Sequence, residues 1–198
     1  MPAMPDLLLG PIARLQVQRD PIKEKGIGYD PAGIVVVQEA SIGPQGIVGR
    51  HGDAWVLDAH HTAHPRNRAG GRRALSIGFT GHYDRMAQRF GSAPMGCAGE
   101  NVLVSTADRF LVTDLAGTIV VHTPDGEVEL RRARVAAPCA EFTSWIKGLD
   151  TVLAQRDQPE DVAFLDEGMR GYILDVAHLE RSMTVRVGDE VWLRIPPP

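Results

Sequence analysis

Residues 183–195 read Met183-Thr184-Val185-Arg186-Val187-Gly188-Asp189-Glu190-Val191-Trp192-Leu193-Arg194-Ile195, and this stretch decides the fold class. Met183, Val185 and Val187 alternate with polar residues, Gly188-Asp189 is a two-residue turn pair, and Val191, Leu193 and Ile195 resume the alternation. Successive side chains of a strand point to opposite faces, so a period of two predicts two half-buried strands joined as a hairpin. A second hairpin is expected where Pro124-Asp125-Gly126 separates Thr118–Thr123 from the alternating Val128 and Leu130. Working outward, short β-branched runs bounded by Gly, Pro and Asp predict strands at Ile12–Gln18, Ile34–Glu39, Ala54–Leu57, Ala74–Phe79 and Phe110–Thr113.

Two segments have helical spacing instead. Tyr83, Met86, Ala87 and Phe90 follow Thr80 as an N-cap and precede Gly91, and Phe142, Trp145, Ile146 and Leu149 repeat the i, i+3, i+4, i+7 pattern. Strands do not alternate regularly with helices, so the elements predict a mainly β barrel or sandwich rather than a doubly wound sheet. With 43% hydrophobic and 23% charged residues and no repeat or low-complexity linker, residues 1–198 are expected to form one domain, its core about residues 12–195.

The formal charge of −4 provides no broad cationic surface, which argues against nucleic acid as a partner. Cys97 and Cys139 form neither a Cys-x-x-Cys pair nor a disulfide framework, which points to a reducing compartment. The N-terminal Met1-to-Gly10 stretch has only three consecutive leucines and no preceding basic residue, unlike a signal peptide. No run approaches the ~20 apolar residues of a membrane span. A cytoplasmic protein without membrane contact is the expectation.

Four groups of residues could carry chemistry. Cys139 follows Pro138 at the end of a strand and precedes the Phe142 helix, where backbone N–H groups favour a thiolate that could serve as nucleophile, persulfide carrier or soft metal ligand; a buried structural thiol is the other reading. Gly99-Glu100-Asn101 leads into Val102-Leu103-Val104, either as a plain turn or as a carboxylate and amide presented to a ligand. The polar loop Asp58 to Arg73 holds His60, His61 and His64, with imidazoles suited to a metal or simply to solvent, and no recognised ligand spacing. Its Arg66, Arg68, Arg72 and Arg73 could grip a phosphate or form a solvated face. Dinucleotide, Walker and serine-hydrolase signatures are missing.

In order, Gly52-Asp53, Arg73-Ala74-Leu75, Gly99-Glu100-Asn101, Pro138-Cys139, Arg170-Gly171 and Gly188-Asp189 resemble the MOSC family, the C-terminal domain of molybdenum-cofactor sulfurases. The resemblance implies a mostly antiparallel β-barrel related to that of pyruvate kinase, with a few short helices. It implies the molybdenum cofactor (molybdopterin) as ligand, with Cys139 as metal ligand or as persulfide acceptor, and catalytic roles for Cys139, Asn101 and Glu100. Arg73 and Arg170 would hold the pterin phosphate, with Gly99 and His64 beside it; a local salt bridge of Arg170 to Glu167 is the alternative. Two functions follow from the resemblance: a molybdenum-dependent reductase of small N-hydroxylated substrates, or a non-enzymatic sulfur carrier or cofactor-delivery module. No pyridoxal phosphate is expected to be bound by this domain alone, so a cysteine desulfurase would have to donate sulfur, or external electron-transfer proteins would have to feed a reductase. Many small bacterial members have His two residues after the Gly-Asp, where this chain has Trp55, which leaves the role of His60, His61 and His64 open.

Overall fold

The computed structural model describes residues 6–195; residues 1–5 and 196–198, and with them half of the N-terminal stretch considered above, lie outside the described residues. In chain order the strands are β1 (Leu7–Gln18), β2 (Lys23–Glu24), β3 (Gly28–Tyr29), β4 (Ile34–Val37), β5 (Glu39–Gly43), β6 (Gly46–His51), β7 (Ala54–Leu57), β8 (Leu75–Phe79), β9 (Val102–Val104), β10 (Thr118–Thr123), β11 (Gly126–Val135), β12 (Tyr172–Asp175), β13 (Met183–Arg186) and β14 (Glu190–Arg194). The helices are α1 (Thr80–Phe90), α2 (Ala140–Ile146) and α3 (Pro159–Leu165).

Strands β14, β10, β11, β12, β8, β9 and β1 lie side by side, and β1 pairs again with β14, so seven strands close into a barrel. Closure removes the open edges a sheet would otherwise expose. The pairings are antiparallel apart from β8 with β9, which α1 and the following loop make parallel by carrying the chain back. Strands β13, β5, β6 and β7 form a second, four-stranded sheet.

The barrel interior holds one apolar cluster, including Leu9, Ile12, Leu15, Ile77, Phe79, Val102, Val104, Val121, Leu130 and Val191. A second cluster lies under the helices, where Tyr83, Met86, Leu103, Phe142, Ile146 and Leu165 meet. Strand β9 belongs to both: Val102 and Val104 fill the barrel while Leu103 faces the helices, which explains an unbroken apolar run.

Several expectations are corrected. The decisive stretch does form two strands, but they do not pair with each other: β13 pairs with β5, whereas β14 is held by β10 on one side and β1 on the other. Both sides of β14 are therefore occupied, and the Arg186–Asp189 turn, closed by Arg186 N–H on Asp189 Oδ2 at 2.7 Å, carries the chain between sheets. The Pro124-Asp125-Gly126 hairpin forms as expected, with Thr123 opposite Gly126. Strand β1 extends back to Leu7 because Gly10 takes φ +137° at a bulge where a side chain would meet Ser105 O at 2.1 Å.

Phe110–Thr113 is no strand: the Asp114 carboxylate captures Leu111 N–H at 2.7 Å and folds the segment into a turn. Thr80 is the first residue of α1 rather than its cap, since its hydroxyl donates to Thr106 O at 2.8 Å. Leu149 lies beyond the end of α2. Helix α3, begun by Pro159, was not expected; of its residues only Leu165 is fully buried, too little for a periodic signal.

Candidate functional site

A cleft of about 330 Å³ opens between one end of the barrel and α2. Its walls come from the end of β1 (Gln18), the β2–β3 hairpin (Lys23, Tyr29), the loop before β8 (His60, Arg73), the turn before β9 (Gly99, Glu100), the segment Ala136–Cys139 and Arg170. The structure thus brings Cys139, Glu100, Gly99, Arg73 and Arg170 together from sequence positions far apart.

Cys139 is the N-cap residue of α2; its carbonyl accepts Thr143 N–H and hydroxyl bonds at 3.0 and 2.8 Å, which leaves the half-buried thiol side chain to the cleft. Arg170 Nη1 lies 3.5 Å from Cys139 Sγ and donates to Ala137 O at 3.2 Å, while Nη2 is 3.5 Å from Ala98 O. The guanidinium lies over the Phe142 ring, Cζ 4.2 Å from its centroid. Glu167 pairs with Arg109 instead, so the local salt bridge considered for Arg170 does not form. Among the described residues, Lys23, Arg73 and Arg170 have no carboxylate partner, and the cleft is cationic at these three positions.

Glu100 is 2% exposed. Burial raises its carboxyl to about 7, against the opposing pull of the Tyr83 hydroxyl, its own backbone N–H, Arg170 and Arg14. Tyr83 donates to Oε2, whereas Oε1 has no partner. Gly171 makes room for this carboxyl: it has φ +82°, and a Cβ there would lie 2.4 Å from Ile77 O and 2.7 Å from Glu100 Cγ.

Asn101, expected at the reacting centre, is not among the cleft-lining residues. Its Oδ1 accepts from Ser76 N–H and Oγ, both at 3.0 Å, and its Nδ2 donates to Asp58 Oδ2 at 2.8 Å and lies 3.3 Å from Gln16 O. It fastens β8, β1 and the loop behind the cleft. His64 also stays outside the lining, with its ring against Arg19 O at 3.2 Å and Arg66 N–H at 3.2 Å, and His60 occupies the wall instead. Of the four loop arginines only Arg73 lines the cleft; Arg66 pairs with Asp20 and Arg72 with Ala69 O. Trp55 is 51% exposed on β7, outside the cleft.

Lys23, Tyr29 and Gln18 were not singled out from the sequence. Gln18 Nε2 donates to Gly99 O at 2.8 Å, Tyr29 hydroxyl to Cys97 O at 2.6 Å, and Gly26 N–H to Glu141 at 2.9 Å, which pins the hairpin against α2. No local signal marks these residues, because each partner is remote in sequence. Cys97 is 4% exposed, and burial pushes its thiol up to about 12.

The family model for the MOSC domain matches residues 59–192, more than half of the chain and the region that supplies most of the cleft. The chain belongs to the MOSC domain family. Solved structures agree with the fold: the YuaD protein from Bacillus subtilis aligns with a TM-score of 0.55 at 16% identity over 95% of this chain and 96% of that one. YiiM from Geobacillus stearothermophilus aligns with a TM-score of 0.51 at 14% identity over 96% of this chain and 75% of that one. At such identities the likeness is one of fold. No curated protein matches the sequence. As a MOSC domain the chain falls in a family associated with the molybdenum cofactor, and no helix among the described residues is long and apolar enough to cross a membrane.

Proposed function

We propose that this MOSC domain binds the molybdenum cofactor in the cleft and acts as a reductase of small N-hydroxylated substrates, fed by external electron-transfer proteins. The observation that carries the reading is one cleft shared by a soft ligand, Cys139, and three cations, Lys23, Arg73 and Arg170. The donor set fits the cofactor. Among the described residues no group of three or more His, Cys, Asp or Glu could hold a bare metal ion, so a metal here would bring most of its ligands with it and take one thiolate from the protein.

When bound, the cofactor would supply two-electron redox chemistry. Arg73 and Arg170 would hold its phosphate through forked, charge-assisted hydrogen bonds. Glu100, whose carboxyl sits at about 7, can hold or release a proton at the unpartnered Oε1 while Tyr83 keeps Oε2 in place. Phe142 beneath the guanidinium and the β2–β3 hairpin, hydrogen-bonded to α2, would hold the wall around the thiol in place.

A second reading, a sulfur carrier loaded by a cysteine desulfurase, is favoured by the 3.5 Å approach of Arg170 to Cys139 Sγ, since a persulfide is an anionic sulfur that a guanidinium can hold. Metal analysis after loading with extracted pterin cofactor, and intact mass after incubation with a cysteine desulfurase and cysteine, separate the two. Molybdenum retained by wild type and lost in Cys139→Ser supports the first; a wild-type mass one sulfur heavier, without metal, supports the second. Arg73→Lys and Arg170→Lys keep the charge but lose the planar fork, so cofactor affinity should fall by ~1–3 kcal/mol. Unchanged affinity at low salt would remove both arginines from the site.

A further inference from the structure

We propose that His60 is a ligand-contacting residue of the cleft, presenting a bare Nε2 as hydrogen-bond acceptor because the buried Asp58 holds the ring proton on Nδ1. The proposal deepens the cofactor reading and rests on it only for the identity of the ligand.

Asp58 is fully buried, and each of its oxygens takes two contacts. Oδ2 accepts Gln18 N–H and Asn101 Nδ2, both at 2.8 Å, and Oδ1 accepts His60 N–H at 2.8 Å and meets His60 Nδ1 at 3.1 Å. The first three partners can only donate, so the carboxylate is surrounded as an acceptor and Nδ1 completes the set as a fourth donor. A neutral imidazole carries one hydrogen; with that hydrogen on Nδ1, Nε2 keeps a lone pair. His60 is one of the residues lining the cleft, its side chain is 32% exposed, and among the described residues Nε2 has no partner. Asn67 Nδ2 donates to His60 O at 2.9 Å and fixes the backbone that carries the ring. The neighbouring histidines are placed differently: His61 Nδ1 accepts Ala63 N–H at 3.2 Å, His64 packs on Arg19 and Arg66, and neither lines the cleft.

The chemical meaning comes from the rest of the wall. Lys23, Arg73 and Arg170 can only donate. His60 Nε2 offers an acceptor in the same wall. A well-matched ligand therefore has two ends: an anionic group for the cations and an N–H or O–H donor for His60. Inorganic phosphate satisfies only the first. A phosphorylated heterocycle with ring N–H or amino donors satisfies both.

The ring state is read from a long-range proton–nitrogen spectrum of the ligand-free protein at a pH where imidazole is neutral. His60 should show hydrogen on Nδ1 and none on Nε2; hydrogen on Nε2 overturns the proposal. For binding, His60→Phe should weaken the extracted pterin cofactor by about tenfold or more, the loss expected for one buried hydrogen bond, and leave inorganic phosphate within about twofold. Equal cofactor affinity in His60→Phe and wild type overturns the ligand contact. Wild-type protein that binds phosphate but no pterin would overturn the cofactor reading, while hydrogen found on Nδ1 would still uphold the acceptor face.

Discussion

Tyr83 on α1 donates its hydroxyl to Glu100 Oε2 at 2.5 Å, and this bond joins the helix layer to the turn that enters β9. Both residues are buried, so the phenol and the carboxyl replace water for each other on one side only. Burial and the neighbouring carboxyl keep the Tyr83 phenol protonated by raising it well above its usual value. Oε1 of Glu100 is left without a partner, buried beside Gly78.

A stability profile follows from Glu100. Its carboxyl is raised from 4.5 to about 7 on folding, so between those values the folded state binds more protons than the unfolded one. Stability from this group is complete below about pH 4.5 and is lost as pH rises through about 7. Glu100→Gln, which retains an acceptor for Tyr83, should remove that decline and be more stable than wild type at pH 8 by about 2–3 kcal/mol. Urea unfolding at pH 5 and pH 8 measures it; an equal pH dependence in both proteins would refute the raised carboxyl.

The two cysteines should differ in reactivity. With the Cys97 thiol at about 12, only about one molecule in ten thousand carries a thiolate there at pH 8. Iodoacetamide should add one adduct to the native protein, mapped to Cys139, and Cys97→Ser should leave cofactor binding intact. Faster labelling of Cys97 would reverse the assignment.

Asn101→Ala should act on stability rather than chemistry. The substitution removes one of the two donors to buried Asp58 Oδ2 and leaves the Ser76 N–H and hydroxyl without their acceptor, at a cost of about 2–4 kcal/mol. A variant with wild-type urea stability but no cofactor binding would return Asn101 to the reacting centre.

Much of the barrel was legible. Val185, Val191 and Leu193 are buried as the alternation required, and the Pro124–Gly126 hairpin forms, because side-chain period and turn chemistry act within a few residues. Partner choice was less legible: Gly188-Asp189 reads as a hairpin turn, yet β14 closes the barrel against β1, a strand at the other end of the chain. At the site, the helix start after Pro138-Cys139 and the turn at Gly99 could be read locally. Asp58-x-His60 was visible as a cluster but not as a pair.

By itself the sequence determined a mainly β chain of the MOSC family, with a cysteine at a strand-to-helix junction. These are consequences of periodicity, turn residues and ordered short motifs. Tertiary structure alone decided that Arg73 rather than Arg66 or Arg72 reaches the cleft, that His60 stands there rather than His64, and that Asn101 faces Asp58. Each choice is a competition for hydrogen-bond partners remote in sequence. Only barrel closure, by bringing β1, β8 and β9 into register, determines which of those partners are within reach.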